Sequence, residues 1–309
     1  MTGNSVIELN GVSKLYKGKA GILNCNLKIP EGQITAFIGK NGAGKTTTIK
    51  LIMGFLKPSS GKITVFGKEK NWLNPCKDIG YLPEIFSFPP LYTIHELFSS
   101  LAGMRKISYK TIKEDIDVLI ELFELKEHLK KNIGAMSKGT KQKVGIIQTL
   151  LHKPKLIIFD EPTTGLDPLA RNRFFKVIKE YCLKERASII FSSHELKELS
   201  DQANYYSFFH QNEIIDSIPA EEILQTEEKT KIFTDKDIDE EIYRNLPEKE
   251  KIIVEKNKII FPKDNDNTFL NQIISILIGS GVNIKDIQNK NSLTVEEYYF
   301  NLLKKKGAM

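Results

Sequence analysis

The stretch Gly39-Lys40-Asn41-Gly42-Ala43-Gly44-Lys45-Thr46-Thr47 constrains this chain more than any other. It reads G-x-x-x-x-G-K-T, the spacing of a phosphate-binding P-loop. Residues 33–38 before it are an apolar run of strand type, and residues 48–53 after it space apolar side chains as a buried helix does. A strand–loop–helix unit is therefore expected. Its three glycines lack a β-carbon, so the backbone can curl close to an anion and present successive N–H groups as a nest. A helix starting near Lys45 adds its positive end. Lys45 is expected to reach the β- and γ-phosphates, and the Thr46 hydroxyl to ligate Mg²⁺.

A chain of 309 residues suits two domains. It has no window of eighteen apolar residues, so no transmembrane helix is expected, and Met1-Thr2-Gly3-Asn4-Ser5-Val6 lacks the layout of a signal peptide. Cys25, Cys76 and Cys182 are too scattered for a metal quartet or a disulfide framework; free, mostly buried thiols in a reducing cytosol are expected. Charge is uneven. Residues 1–218 carry 31 Lys and Arg against 22 Asp and Glu, whereas residues 219–309 carry 14 against 17. A basic front half suits polyphosphate binding or work beside an anionic membrane face. No interleaving of aromatic and basic residues appears, so no nucleic acid partner is expected.

Along the chain, residues 6–9 and 21–29 read as strands of a β-meander leading to the phosphate loop. Residues 62–67 and 79–84 read as further strands. Thr93-Ile94-His95-Glu96 starts a helix with a capping box, and apolar residues keep helical spacing through 117–129. Leu156-Ile157-Ile158-Phe159 closes on Asp160 and Glu161, and a second apolar run, 187–193, closes on His194. Continuous apolar strands separated by helices imply a parallel sheet covered on both faces, with ligands at the carboxyl ends of its strands. Beyond Ile218 the pattern changes. Residues 229–234, 251–256, 258–262 and 282–288 read as strands, with helices at 237–246, 266–279 and 294–305. That order, βαββαβ and a last helix, is the order of a ferredoxin-like unit. No internal repeat or low-complexity segment is present.

These motifs, in this order, resemble the ATP-binding subunit of an ABC transporter whose permease is a separate polypeptide, with a C-terminal regulatory extension. The resemblance covers residues 5–218. It implies an α/β P-loop NTPase cassette of ABC type, a mixed sheet with a helical subdomain at about 85–150, in domain 1–218. A small α+β ferredoxin-like accessory or regulatory domain is expected at 219–309. In the family, the aspartate matched by Asp160 holds Mg²⁺, and the glutamate matched by Glu161 polarises the attacking water. His194 resembles the switch histidine that contacts the γ-phosphate, and Tyr16 the aromatic that stacks on adenine. Ala135-Met136-Ser137-Lys138-Gly139-Thr140 stands where the family has L-S-G-G-Q. Ser137 and Gly139 match; Met136, Lys138 and Thr140 depart, and Lys138 adds a positive charge. Pro162-Thr163-Thr164-Gly165-Leu166-Asp167 resembles the D-loop, which touches the opposite subunit.

The resemblance implies ATP and Mg²⁺ as cofactors, with ATP sandwiched between two copies. It further implies transport, by export, through a membrane permease in trans, with this chain cytoplasmic and peripheral on the inner face of the membrane. Two rivals are a soluble ABC protein acting on ribosomes or DNA, and a P-loop kinase. Ribosome-acting members carry two cassettes in one chain, DNA-repair members split theirs with coiled coil, and a kinase needs neither Ser137-x-Gly139 nor a D-loop. Glu84 stands where the family usually has a glutamine that contacts Mg²⁺. A carboxylate binds the cation more strongly but repels a γ-phosphate not paired with metal. Glu84→Gln is therefore expected to shift the Mg²⁺ dependence of ATPase rate; an unchanged rate and titration would remove the role.

Overall fold

The computed structural model describes residues 4–70, 78–195, 202–225, 229–262, 267–290 and 293–307. The chain divides into two compact units, Met1–Ile218 and Pro219–Met309. The first unit begins with β1 (Ser5–Tyr16), β2 (Lys19–Pro30) and β3 (Ile34–Ile38), followed by α1 (Lys45–Met53). Next come β4 (Ser60–Val65), β5 (Lys68–Glu69), β6 (Ile79–Leu82), and the helices α2 (Ile94–Met104), α3 (Tyr109–Leu122) and α4 (Lys138–Leu150). It closes with β7 (Leu156–Phe159), α5 (Pro168–Glu185), β8 (Ser188–Ser193), β9 (Tyr205–His210) and β10 (Glu213–Pro219).

Two sheets result. The first is antiparallel, in the order β2-β1-β4-β5; the second has six strands, in the order β10-β9-β3-β8-β7-β6. In the second, β9, β3, β8, β7 and β6 run parallel. Every residue of β3, β7 and β8 is buried, as strands covered on both faces require. One face supplies Phe37, Ile158 and Ile190, which pack with Ile49, Leu51 and Ile52 of α1 and the apolar side of the antiparallel sheet. Helix α1 thus lies between the sheets. On the other face, Phe159 and Phe191 meet Phe174 and Phe175 of α5 in edge-to-face pairs 5.2 and 5.5 Å apart.

Two local readings are corrected. The first strands are longer than the expected runs 6–9 and 21–29, because register shifts between Leu9 and Leu15 interrupt the alternation without ending the pairing. Tyr16 therefore ends a strand. The helix expected through 117–129 stops at Leu122, and Glu124 turns with φ +55°. Phe123 and Leu125 are still buried, so the apolar spacing reports burial of a turn rather than more helix. The capping box is present: Thr93 N donates to Glu96 Oε2 at 2.8 Å, and Glu96 N to Thr93 Oγ1 at 3.4 Å. Cys25 and Cys182 are free and buried; Cys76 lies outside the described residues.

The second unit runs α6 (Ala220–Gln225), β11 (Lys229–Thr234), α7 (Glu240–Asn245), β12 (Ile253–Glu255), β13 (Lys258–Pro262), α8 (Thr268–Gly279), β14 (Ile284–Lys290) and α9 (Val295–Lys305). Its sheet, in the order β12-β13-β11-β14, is antiparallel throughout. Ile232, Ile259 and Phe261 pack there with Ile242, Ile273 and Leu277 from its helices. The expected strand at 251–256 is reduced to three residues, behind a 3₁₀ turn at Lys249–Lys251. Among the described residues, no helix is long and apolar enough to cross a membrane.

Candidate active site

Parallel register decides which side chains meet. Ile38 of β3 pairs with Ser193 of β8, Phe191 of β8 with Phe159 of β7, and Phe159 with Leu82 of β6. The loop after β3, His194 after β8, Asp160 and Glu161 after β7, and Glu84 after β6 therefore share one edge of the sheet. The loop itself needs its glycines. A β-carbon on Gly39 would stand 2.5 Å from Phe209 O on β9, and Gly44, the N-cap of α1, has φ +109°.

A cleft of about 490 Å³ opens there. It is lined by Lys40, Asn41, Gly42, Ala43, Gly44, Lys45, Thr46 and Thr47, with Tyr16, Ala20, Gly21, Glu84, Glu161 and Asn212. Lys45 is 5% exposed. Its ammonium donates to Gly39 O at 2.5 Å and lies 3.5 Å from Glu161 Oε1. Burial pulls the Lys45 pKa down, and the negative charges of Glu161, Asp160 and Glu84 oppose that. Glu161 is buried, and its Oε2 pairs with His194 Nδ1 at 2.9 Å. Its Oε1 is buried without a hydrogen bond. The Glu161 backbone is left-handed, φ +52°, and its N–H donates to Ser192 Oγ at 2.9 Å. Ser192 in turn donates to Asp160 Oδ1 at 2.7 Å, which also takes the Thr46 hydroxyl at 3.3 Å.

Thr46, Asp160 and Glu84 form a set of hard oxygen donors, as Mg²⁺ prefers. No group of three or more His, Cys, Asp or Glu side chains able to hold a metal occurs among the described residues. The set thus fits a cation that keeps waters and phosphate oxygens as its other ligands. Chemically, the cleft combines a backbone anion cradle, a buried cation and a carboxylate with one unsatisfied oxygen. A family profile described as "ABC transporter" matches residues 22–164. The bacitracin transport ATP-binding protein BcrA of Bacillus licheniformis is 32% identical over 231 residues, 73% of this chain and 74% of that protein. The uncharacterized ABC transporter ATP-binding protein YxlF of Bacillus subtilis is 32% identical over 74% of this chain and 76% of its own length.

This chain belongs to the ATP-binding proteins of ABC transporters.

A solved "ATP binding subunit of ABC transporter" overlays the chain with TM-score 0.65 at 28% identity, covering 71% of this chain and 92% of the other. The chain is thus an ABC cassette with the fold of a P-loop NTPase, and in enzymatic class an ATPase. Its remaining motifs stand elsewhere. None of Ser137, Lys138, Gly139 or Asp167 lines the cleft. Ser137 caps α4, accepting from Thr140 N at 3.1 Å. Asp167 caps α5, accepting from Ala170 N at 2.8 Å; that bond holds its carboxyl below the usual range. The start of α4 and the segment 162–167 pack on each other. A β-carbon on Gly139 would stand 2.7 Å from Gly165 O, and the Lys138 stem passes over Gly165. Tyr16 lies at the cleft wall, its ring over Gly21, with Lys14 Nζ 5.6 Å from its centroid.

Sequence reasoning missed three residues. Ser192 binds both Asp160 and the Glu161 N–H; its place two residues before His194 is the signal that could have found it. Asn212 lines the cleft from the β9–β10 turn. Gln142, 4% exposed on α4, donates from Nε2 to Pro162 O at 2.9 Å, linking that helix to the residue after Glu161. A buried amide inside an apolar helix face was its only signal. Gln142→Leu strands the Pro162 carbonyl; it is expected to cost about 1–3 kcal/mol in urea unfolding and to lower the ATPase rate. Unchanged unfolding and rate would show the bond to be idle.

Proposed function

We propose that two copies of this chain sandwich ATP and hydrolyse it to drive export through a separate membrane permease. The chain then sits on the inner face of the membrane, held by that permease. The observation that carries the reading is the Glu161 carboxylate, with one oxygen on His194 and the other unsatisfied, 3.5 Å from Lys45.

Gly39, Lys40, Asn41, Gly42, Ala43, Gly44 and Thr47 shape a cradle whose N–H groups grip the phosphates. Lys45 binds the β- and γ-phosphates, and Tyr16 stacks on the adenine. Thr46, Asp160 and Glu84 would hold Mg²⁺, which when bound neutralises charge on the transferring phosphoryl group. Glu161 accepts a hydrogen bond from the attacking water and orients it toward phosphorus. His194 steadies Glu161 through Nδ1 and offers its other ring nitrogen to the γ-phosphate.

The stand-off between the cleft and Ser137, Lys138, Gly139 and Asp167 supports a two-copy arrangement. Ser137, the Gly139 backbone and the start of α4 would grip the γ-phosphate of a partner's nucleotide, with Lys138 adding positive charge. Asp167 would stand near the partner's D-loop. Closure follows from the higher affinity of the closed pair for ATP, and hydrolysis releases it. The strand order and antiparallel pairing of the second unit support a ferredoxin-like accessory domain that stabilises the pair.

Glu161→Gln tests the reading. The variant should bind ATP, form dimers by light scattering, and release phosphate at least about 100-fold more slowly than the unaltered chain. Wild-type phosphate release would remove Glu161 as base. A monomer at saturating ATP, even with the permease that co-purifies with it, would overturn the sandwich.

A further inference from the structure

The turn between β9 and β10 consists of Gln211 and Asn212, with φ +45° and +66°. Two left-handed residues match the twist of a hairpin, and a glycine would fill the second position without steric cost. Asn212 fills it and adds an amide. With its nitrogen facing the two carbonyls, that amide donates to Gly42 O at 3.1 Å and to Gly21 O at 3.2 Å. The backbone is anchored as well: Leu23 N donates to Asn212 O at 2.8 Å.

The Gly42 carbonyl belongs to the phosphate loop. Across the same peptide, Ala43 N donates to Lys40 O at 3.1 Å. In a trans peptide the C=O and N–H point opposite ways, so the Gly42–Ala43 plane is held at both ends. Gly42, at φ +80°, has no side chain to resist rotation of that plane. Gly21, the second acceptor, lies beneath the base platform: a β-carbon there would stand 2.4 Å from the Tyr16 ring. One amide therefore spans from the phosphate loop to the floor under Tyr16.

The geometry points to Asn212 as a positioning residue for the nucleotide, acting through Gly42 and Gly21. It locks one peptide of the phosphate loop and fixes the separation of the phosphate and base subsites. The nucleotide pays less ordering entropy on a loop already set. The role rests on the cleft being the nucleotide site. Because Gly42 and Gly21 hold parts common to both nucleotides, ADP and ATP depend on it alike.

The test uses full-length Asn212→Gly and Asn212→Asp, titrated with ADP and with ATP by calorimetry beside the unaltered chain. Glycine accepts the turn angle but loses two hydrogen bonds and loosens the unfolded chain, so the unfolding midpoint should fall by only a few degrees and the chain stay folded at the assay temperature. With both hydrogen bonds gone, Asn212→Gly should bind each nucleotide about tenfold more weakly while keeping kcat at saturating ATP. Asn212→Asp aims oxygen at two carbonyl oxygens and should bind at least as weakly. A residue that only makes the turn predicts otherwise, since aspartate and glycine both tolerate the left-handed region. Unchanged affinity in both variants, or a loss confined to kcat, overturns the role of Asn212 alone. An unaltered chain that binds neither nucleotide overturns the cleft reading with it.

Discussion

A buried ammonium must find negative charge, and this requirement orders the centre of the molecule. Lys45 at 5% exposure cannot keep its proton in an apolar interior without help. Helix α1 buries it between two sheets, and the parallel register of β3, β8, β7 and β6 delivers Asp160, Glu161 and Glu84 to the same edge. Asp160 and Glu161 in turn need partners. Ser192, Thr46 and His194 supply them from adjoining strands and the loop. One oxygen of Glu161 is left without a hydrogen bond, 3.5 Å from the Lys45 ammonium.

How much of this could be read from residues alone follows from the range of each interaction. The phosphate loop was legible because its glycine requirements are local, and β7 and β8 because full burial leaves unbroken apolar runs. The lengths of β1 and β2 were not, since register shifts scramble the period of two between Leu9 and Leu15. Nor was the stop of α3, where Phe123 and Leu125 stay buried beyond the helix. Asn212 was invisible for a different reason. A Gln-Asn pair between apolar runs announces a hairpin, but only the placing of β9 beside β3 brings it to Gly42. Gln142 likewise acquires its meaning from Pro162, twenty residues on.

The sheet edge that carries Glu161 and helix α4 are tied to each other. Gln142 holds Pro162, and Gly139 rides on Gly165, so the segment after Glu161 is braced by α4. Ser137 and Lys138 thus stand at the start of the helix whose Gln142 bonds to the residue next to Glu161. Glycine at 139 permits the close approach to Gly165 O, with Met136, Lys138 and Thr140 around it. Departure from the usual signature letters leaves that brace in place.

Glu161 turns in a region of backbone space where glycine sits at ease and an acidic side chain is strained, φ +52°. The misfit costs about 1–2 kcal/mol. The Ser192 hydroxyl on its N–H and the His194 ring on its carboxylate hold the angle in place. Stability and aim are thus set against each other at a single dihedral: whatever relaxes that angle makes the fold sturdier and turns the carboxylate away from Lys45 and His194.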